Sequence, residues 1–149
     1  MPDERRIEES ARKILEYFNR EIKNAPCSEK HHLNVRGGLL KHLENVFLVA
    51  DKYFSDNQLI FLALIHDIGK ARVYTMDKNG VITYKSPNID HIIHTITMLN
   101  EYGIKLTDEE LNAIQFHHGG WSNFKGDMTE LAIKLHFCDM IATVVLDNK

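Results

Sequence analysis

The chain has 149 residues, of which 18 are basic and 21 acidic, so its formal net charge at pH 7 is −3. This length suits one domain with a sizeable core and is short for two ordinary domains. The slightly acidic balance argues against a protein that holds nucleic acid by bulk electrostatics, although a local basic patch is compatible with it.

The cysteines and the N-terminus indicate the cellular compartment in which the protein is expected. Cys27 and Cys138 lie far apart without a CxxC spacing, which indicates reduced thiols rather than a disulfide framework or a cysteine-rich zinc site. The N-terminal sequence MPDERRIEES is too charged for a signal peptide, and no apolar run approaches the ~20 residues that span a bilayer. We therefore expect a soluble, cytoplasmic protein with no membrane partner.

Three helices are predicted in the first half of the chain. Apolar residues recur at helical spacing over residues 3–23, and Ala25-Pro26 ends this helix. A Gly-Gly pair opens the second helix, which covers about residues 37–54. The third helix covers about residues 58–67, and Gly69 is expected to stop it.

The second half begins with a β-hairpin over about residues 73–84, in which Asn79-Gly80 is expected to supply the positive φ angles of a tight turn. Asp90 is a candidate cap for the helix that follows, and Thr107 with Glu110 forms a capping box for the next. The sequence thus predicts a mainly α protein, a helical bundle with one small hairpin. The helices of this half cover about residues 88–102, 108–116 and 129–146.

Nine histidines fall largely at the ends of different predicted helices. Helix ends from distant parts of a bundle can converge on one point, as they do in metal sites of helical bundles. Imidazole suits Fe, Mn, Co, Ni and Zn, and a carboxylate can bridge two cations. The spacing of some 22 to 26 positions predicts a metal site from this set: His42, His66, Asp67, His91, His117, His118 and Asp139.

Each of these positions also has a purely structural interpretation. His42 lies between leucines and is compatible with a hydrogen-bonded core histidine, and His66-Asp67 is compatible with a pair that meets the dipole of a helix C-terminus. His117-His118 is compatible with a loop pair that ends a helix. Asp139 stands on an apolar helix, where an unpaired carboxylate is costly to bury, so a nearby cation explains it best.

The remaining histidines are assigned other roles. His94 shares a helix face with His91 and is expected to support the site or to supply a leaving-group proton. His136 lies three residues before Asp139 and is not expected to bind a metal directly. His31-His32 is interpreted either as an exposed loop pair or as a contact for a phosphate or base.

These motifs together resemble the HD-domain metal-dependent phosphohydrolases. His42, the doublet His66-Asp67 within HDIGK, and Asp139 within LHFCDMIA are similar to the metal-binding signature of that superfamily. The additional His91 and His117-His118 resemble the extra ligands of HD subfamilies that bind two metals. The closest resemblance is to the HD portion of bacterial 3′-to-5′ exoribonucleases in which an OB-fold precedes the HD domain, carried by the segments HHLNVRGGLLKHLENV, LALIHDIGKARVY, HHGG and KLHFCDMIAT.

The resemblance covers about residues 29–145 and implies one HD domain over residues 1–149, with a helical N-terminal extension over residues 3–24. Two departures from the relatives narrow the expected activity. No OB-fold precedes this segment in the sequence, so a platform for long RNA is not expected. HHGGW also lacks the Gly-Tyr-Pro extension of the HD subfamily that hydrolyses cyclic di-GMP.

The resemblance implies hydrolysis of a phosphate ester or anhydride of a nucleotide or short oligonucleotide by metal-activated water. One or two divalent transition-metal ions are expected, with Fe, Mn, Co or Ni favoured over Zn or Mg. Asp67 would bridge the metals, and Lys70 would contact a phosphate oxygen or support the leaving group. Arg36, beside Gly37-Gly38 and a helix N-terminus, is interpreted either as part of an exposed loop or as an anion-binding corner, and Arg72 completes the predicted substrate-binding residues.

Alternatives remain open at this stage. Trp121 and Phe124 are compatible with stacking on a base or with a hydrophobic plug. A non-catalytic HD module that binds metal or nucleotide and regulates a partner is the main alternative to an enzyme. Structural zinc predicts a closed four-ligand site, which the surplus of candidate ligands argues against. A homodimer is compatible with the apolar faces of the helices, and stable binding of bulk DNA is not expected.

Overall fold

The computed structural model describes residues 6–29, 32–119 and 126–148, and the predictions for His31, Trp121 and Phe124 lie outside these residues. The helix predicted over residues 3–23 is divided into α1 (Glu8–Tyr17) and α2 (Asn19–Ile22). The break falls at Phe18, whose φ of −96° and ψ of 15° depart from helical values. The change of direction leaves both Phe18 and Ile22 buried in the core, so packing has overridden the local periodicity.

The centre of the bundle is α4. Helix α3 (Gly38–Tyr53) begins after Gly37 at a φ of 79°, and α4 (Asn57–Ile65) begins with Asp56, whose side chain accepts a hydrogen bond from the Leu59 amide. The apolar run LIFLALI of α4 is buried at every position, because α1, α3 and α7 pack around it.

The end of α4 differs from the prediction. The helix ends at Ile65, and a 3-10 helix, Ile68–Arg72, follows, so Gly69 lies inside a second helical segment instead of stopping the first. A Cβ at Gly69 would lie 2.0 Å from the carbonyl oxygen of His91, and the Gly69 amide donates to Thr95 Oγ1 over 2.9 Å. The physical role of this glycine is close approach to α5, which the local sequence pattern does not reveal.

The predicted hairpin is present, with β1 (Tyr74–Met76) antiparallel to β2 (Ile82–Tyr84). Its turn is longer than expected. Gly80 has a φ of 82°, but Asn79 is not among the described non-glycine residues with positive φ. The Asp77 carboxylate instead accepts hydrogen bonds from the amides of Asn79 and Val81, which stabilises the wider turn.

Three helices complete the bundle: α5 (His91–Tyr102), α6 (Asp108–Gln115) and α7 (Glu130–Ile141). The capping box at α6 is confirmed: the Thr107 amide donates to the Glu110 carboxylate, and the Glu110 amide donates to the Thr107 hydroxyl. The capping prediction for Asp90 is wrong, because its carboxylate accepts from the Ser86 hydroxyl and makes no cap hydrogen bond to α5. Helix α7 continues as predicted towards residue 146, but as a π-helical turn, Ala142–Leu146.

The described residues therefore form a mainly α fold with a single two-stranded hairpin, as the sequence predicts. Helices α1, α3, α4, α5, α6 and α7 all contribute to one hydrophobic cluster of buried side chains. None of the helices described here is both long and apolar enough to cross a membrane. Around the C-terminal end of α4, segments from α3, α5, α6 and α7 bring the histidines and carboxylates together.

Candidate metal centre

Seven side chains from five parts of the chain meet in the interior. His42 lies on α3, the pair His66-Asp67 follows α4, and His91 is the first residue of α5. The pair His117-His118 follows α6, and Asp139 lies near the end of α7. All are buried except His118, which is partly exposed. The structure thus brings together every residue of the predicted ligand set.

The side chains form two groups on either side of Asp67. His42, His66 and Asp139, here called the first ligand group, lie close together, with Asp139 Oδ1 2.9 Å from His42 Nε2 and 3.3 Å from His66 Nε2. Asp67 joins this group through Oδ2, which lies 3.6 Å from Nε2 of both histidines. With Asp67, this group offers four potential ligand atoms within 4.8 Å of one another.

His91, His117 and His118 form the second ligand group, and their ligand atoms also lie within 4.8 Å of one another. Nε2 of His91 and Nε2 of His118 are 3.0 Å apart. The other carboxylate oxygen of Asp67 faces this group, with Oδ1 3.6 Å from His91 Nε2 and 3.3 Å from His117 Nε2. Asp67 therefore presents one oxygen to each group, as a carboxylate that bridges two cations does.

Backbone carbonyls fix the orientation of three of these imidazole rings. Nδ1 of His66 contacts Ala63 O at 2.9 Å, and Nδ1 of His91 and of His117 contact the carbonyl oxygens three residues earlier at 2.6 Å each. Because a carbonyl oxygen only accepts, Nδ1 of each ring carries the hydrogen and donates. Nε2 is then left to face the cluster, the arrangement found around metal-bound histidines.

A carboxylate orients the fourth ring. His42 Nδ1 donates to Asp147 Oδ2 over 2.7 Å, and the Asn45 amide donates to Asp147 Oδ1 over 2.8 Å. Neither partner was predicted from the sequence. Asn45 stands one helical turn from His42 and could have been suspected, whereas Asp147 follows the π-helical turn and lies 105 positions from His42 in the chain.

The buried atoms of the cluster fit a bound cation. Both carboxylate oxygens of Asp67 and Nε2 of His117 are buried without a hydrogen-bond partner among the described residues. An unsatisfied buried polar atom costs about 1–3 kcal/mol, and more if it is charged. Lys70 Nζ lies at ion-pair distance, 3.2 Å from Asp67 Oδ2, and offsets part of this cost. The donor set of imidazole nitrogens and carboxylate oxygens suits divalent transition metals.

Electrostatics hold both carboxylates in the form that binds metal. Burial opposes ionisation of Asp67, but the charges of Lys70, His66 and His117 outweigh it and hold the pKa of Asp67 well below its usual value. Burial likewise opposes ionisation of Asp139, yet its close contacts with His42 and His66 outweigh burial and hold the pKa of Asp139 well below the usual value. Both side chains are therefore anionic at neutral pH.

Four histidines of the cluster fall into two classes by the direction in which their pKa is shifted. Burial lowers the pKa of His91 to about 4 and that of His118 to about 3, so both rings are neutral at pH 7. Burial also acts on His42 and His117, but neighbouring anionic groups outweigh it and raise the pKa of both. Because a metal binds the neutral ring, a cation at His42 or His117 would compete with protons.

Lys70 is the one predicted substrate-binding residue that the structure places at the cluster. Its Nζ lies 3.6 Å from Cys27 Sγ as well as near Asp67, and ionised Asp67 raises the pKa of Lys70 despite its burial. Arg36 is exposed and donates to the carbonyl of Asp77 in the hairpin turn. Arg72 donates to Glu21 and Glu101, and these contacts hold it away from the cluster.

Other polar residues surround the ligand groups. His94 Nε2 lies 3.2 Å from the Ser86 hydroxyl, and His136 Nδ1 donates to the carbonyl of His117 over 2.8 Å, so His136 supports the loop that carries a second-group histidine. His32 Nε2 lies 3.2 Å from Cys27 Sγ and 3.5 Å from Asp147 Oδ2. From the sequence, Cys27 was expected to be an ordinary thiol. His32 was interpreted either as an exposed loop histidine or as a contact for a phosphate or base.

The comparison with protein families agrees with this geometry. A model of the HD domain family matches residues 39–143, a range that includes all seven side chains of the cluster. The chain belongs to the HD domain family. No curated protein and no solved structure matches it. HD domains bind divalent metals and are generally metal-dependent phosphohydrolases, and the two ligand groups of this chain are suited to hold such ions.

Proposed function

We propose that the chain is a metal-dependent phosphohydrolase that acts on a phosphate ester or anhydride of a nucleotide or short oligonucleotide. The observation that carries this proposal is the placement of Asp67, whose two buried carboxylate oxygens each face a different ligand group. The first ligand group with Asp67 would hold one cation, and the second ligand group with Asp67 would hold another. Such ions supply a Lewis acid and an activated water for attack at phosphorus.

The side chains around the ions have separate tasks. Lys70 lies beside the bridging carboxylate and lines the cleft above it, so its ammonium group would contact a phosphate oxygen. The orienting hydrogen bonds at Nδ1 keep the imidazoles in place when substrate enters. Arg36 and Arg72 make other contacts in the structure and are not part of the proposed site.

The finer assignments belong to this proposal and rest on the motifs in the sequence. The likeness to the HD portion of exoribonucleases with an OB-fold supports a short oligonucleotide among the candidate substrates. The mixed nitrogen and oxygen donors support Fe, Mn, Co or Ni over Mg, which prefers oxygen ligands. A single domain over residues 1–149, a cytoplasmic location and a homodimer stay predictions.

Hydrolysis assays test the proposed activity. The protein, loaded in turn with Mn²⁺, Fe²⁺, Co²⁺ and Ni²⁺, is incubated with nucleoside monophosphates, cyclic nucleotides, dinucleotides and short RNAs. Asp67→Asn is expected to lower kcat/KM by about 100-fold or more, because the bridging charge is lost. Asp51→Asn, which changes an exposed aspartate of α3, is the matched control and should retain activity.

The assay separates the enzyme from the regulatory alternative. If the protein binds metal but hydrolyses none of these compounds with any of the ions, the proposed activity is wrong. A non-catalytic HD module that binds metal or nucleotide would then be the better account.

A further inference from the structure

Two adjoining pockets open above the cluster, and both are lined by His32, Lys70 and His118. The first, of about 260 Å³, is called the polar pocket and is also lined by Ser28, Glu29, Tyr74, Tyr84, Asn88 and His91. The second, of about 370 Å³, is called the apolar pocket and is also lined by His136, Asp139, Met140, Thr143 and Val144. The residues nearest the ligand groups therefore lie where the two pockets meet.

The polar pocket has walls suited to a group that carries hydroxyls. The Tyr74 hydroxyl donates to Asn88 Oδ1 over 2.9 Å, and the rings of Tyr74 and Tyr84 are 5.3 Å apart. The Glu29 carboxylate beside Tyr84 raises the pKa of the Tyr84 hydroxyl. A sugar could exchange hydrogen bonds with these groups, whereas a second phosphate would meet the negative charge of Glu29.

The apolar pocket has a different wall. Met140 directly follows Asp139, and Thr143 and Val144 come one turn later, on the π-helical segment. Val144 is 66% exposed and Met140 is 42% exposed, which leaves a hydrophobic surface beside a buried carboxylate. Burial of a flat apolar group against these side chains would be favourable.

The charge of the lining limits the substrate. Among the described residues that line the two pockets, Lys70 is the one lysine or arginine. Among the described lining residues, this single cation beside the ligand groups suits a phosphate with one negative charge. A phosphodiester carries one such charge and has substituents on two sides.

Building on the proposed function, we propose that the substrate is a phosphodiester that lies across both pockets, with phosphorus at their junction, a hydroxyl-bearing group in the polar pocket and a flat apolar group against Met140 and Val144. Hydrolysis forms a bond between phosphorus and the oxygen of water and breaks the bond between phosphorus and one ester oxygen. The released alcohol takes up a proton of the water, and the other group keeps the phosphate.

Three chromogenic esters test the two-pocket arrangement. Thymidine 5′-(4-nitrophenyl phosphate) has a sugar on one side of phosphorus and an aryl group on the other, bis(4-nitrophenyl) phosphate has two aryl groups, and 4-nitrophenyl phosphate is a monoester. With the metal-loaded protein, kcat/KM for the thymidine diester is expected to exceed that for the monoester by about tenfold or more. Bis(4-nitrophenyl) phosphate should fall between them, because it lacks the sugar.

Two neighbouring valines provide a matched pair of variants. Val144 lines the apolar pocket, and Val145 is exposed on the same turn but does not line it. Val144→Asn should raise KM for the thymidine diester about three- to tenfold with little change in kcat, since it removes apolar contact area and no reacting group. Val145→Asn should leave both constants unchanged. Val144→Thr, similar in shape to valine, is a second variant if the first does not fold, and metal content and Tm are measured for each.

The outcomes distinguish this inference from the proposed function. A preference for the diester together with a larger KM for Val144→Asn than for Val145→Asn supports the inference. A preference for the monoester, or equal KM values for the two valine variants, overturns the inference and leaves a phosphohydrolase of another substrate class. If the metal-loaded protein hydrolyses none of the three esters or the nucleotides above, the proposed function falls and the inference falls with it.

Discussion

At the residue scale, the affinity of the cluster for metal depends on Asp67 and on the residues that orient the neighbouring histidines. Asp67 faces both ligand groups, and Lys70 beside Oδ2 offsets only part of the cost of burying its carboxylate, so a bound metal cation would stabilise it further. Hydrogen bonds also fix the orientation of four histidine rings. Nδ1 of each ring donates to an acceptor outside the two ligand groups and Nε2 faces the cluster, as seen in His42, His66, His91 and His117. Residues outside the predicted ligand set should therefore influence metal affinity.

Asp147 offers a direct test of this effect. Asp147→Ala removes the acceptor that orients His42, so the affinity for metal should fall about 10- to 100-fold. Asp147→Asn keeps an oxygen acceptor for His42 Nδ1 and should restore part of the affinity. Competition with a chelator measures the change, and Asp51→Ala serves as the control. Equal affinities for Asp147→Ala and the control would contradict the orienting role.

At the scale of elements, the position of the 3-10 helix against α5 determines how Asp67 and Lys70 meet His91. Gly69 lies between Asp67 and Lys70 in the chain, and its backbone packs directly against His91 and Thr95. A side chain at this position would push the 3-10 helix away from α5. The same movement would separate Asp67 from the second ligand group.

Gly69→Ala should therefore reduce both stability and metal content. We expect the free energy of unfolding to fall by about 1–3 kcal/mol, the usual cost of overpacking a core, together with a loss of bound metal. Gly80→Ala is the control, since a Cβ there meets nothing within 4 Å and its cost is confined to the left-handed backbone. Denaturant titration and elemental analysis measure the two quantities. Normal metal content in Gly69→Ala would contradict the proposed packing role.

A buried ion pair connects Arg6, two positions before α1, to Glu110 of α6. Arg6 donates to both carboxylate oxygens of Glu110, over 2.8 and 3.2 Å. Burial opposes ionisation of Glu110, but its hydrogen bonds to Arg6 and Thr107 outweigh burial and lower its pKa from 4.5. Because the folded-state pKa lies below the unfolded value, this carboxylate stabilises the fold above pH 4.5. That contribution is lost as the pH falls through the lower, folded-state pKa.

Glu110→Gln should lower the free energy of unfolding by about 3 kcal/mol at pH 7, because it leaves Arg6 buried beside a neutral group. The difference from the original protein should shrink progressively below pH 4.5. Glu109→Gln, on the exposed side of α6, should change stability by less than about 0.5 kcal/mol. Urea titrations at several pH values measure these differences. A difference that is constant between pH 7 and pH 3 would contradict the assignment.

At the scale of the whole molecule, the convergence of the seven histidine and aspartate side chains is the feature that the sequence predicts best, and their role as metal ligands stays a prediction. Histidine and aspartate at helix ends are easily recognised in a sequence as potential metal ligands. The bundle brings together the residues whose spacing predicted that they converge. The bundle and the hairpin follow from periodicity, because apolar spacing and turn residues are local signals.

Features that depend on tertiary packing escaped the sequence analysis. The contact of Gly69 with α5, the break at Phe18 and the reach of Asp147 to His42 each involve segments distant in the chain. Arg72 looked suited to a phosphate because it follows HDIGK, yet its partners Glu21 and Glu101 lie on elements that the local motif does not include.

Elemental analysis of the purified protein tests the central claim, that Asp67 and the two ligand groups hold divalent transition metals. The account predicts about one to two equivalents of Fe, Mn, Co or Ni per chain, lost in Asp67→Ala and Asp139→Ala but retained in Asp51→Ala. Circular dichroism shows whether each variant is folded. Absence of bound metal after gentle, chelator-free purification and after reconstitution with each ion would contradict the account.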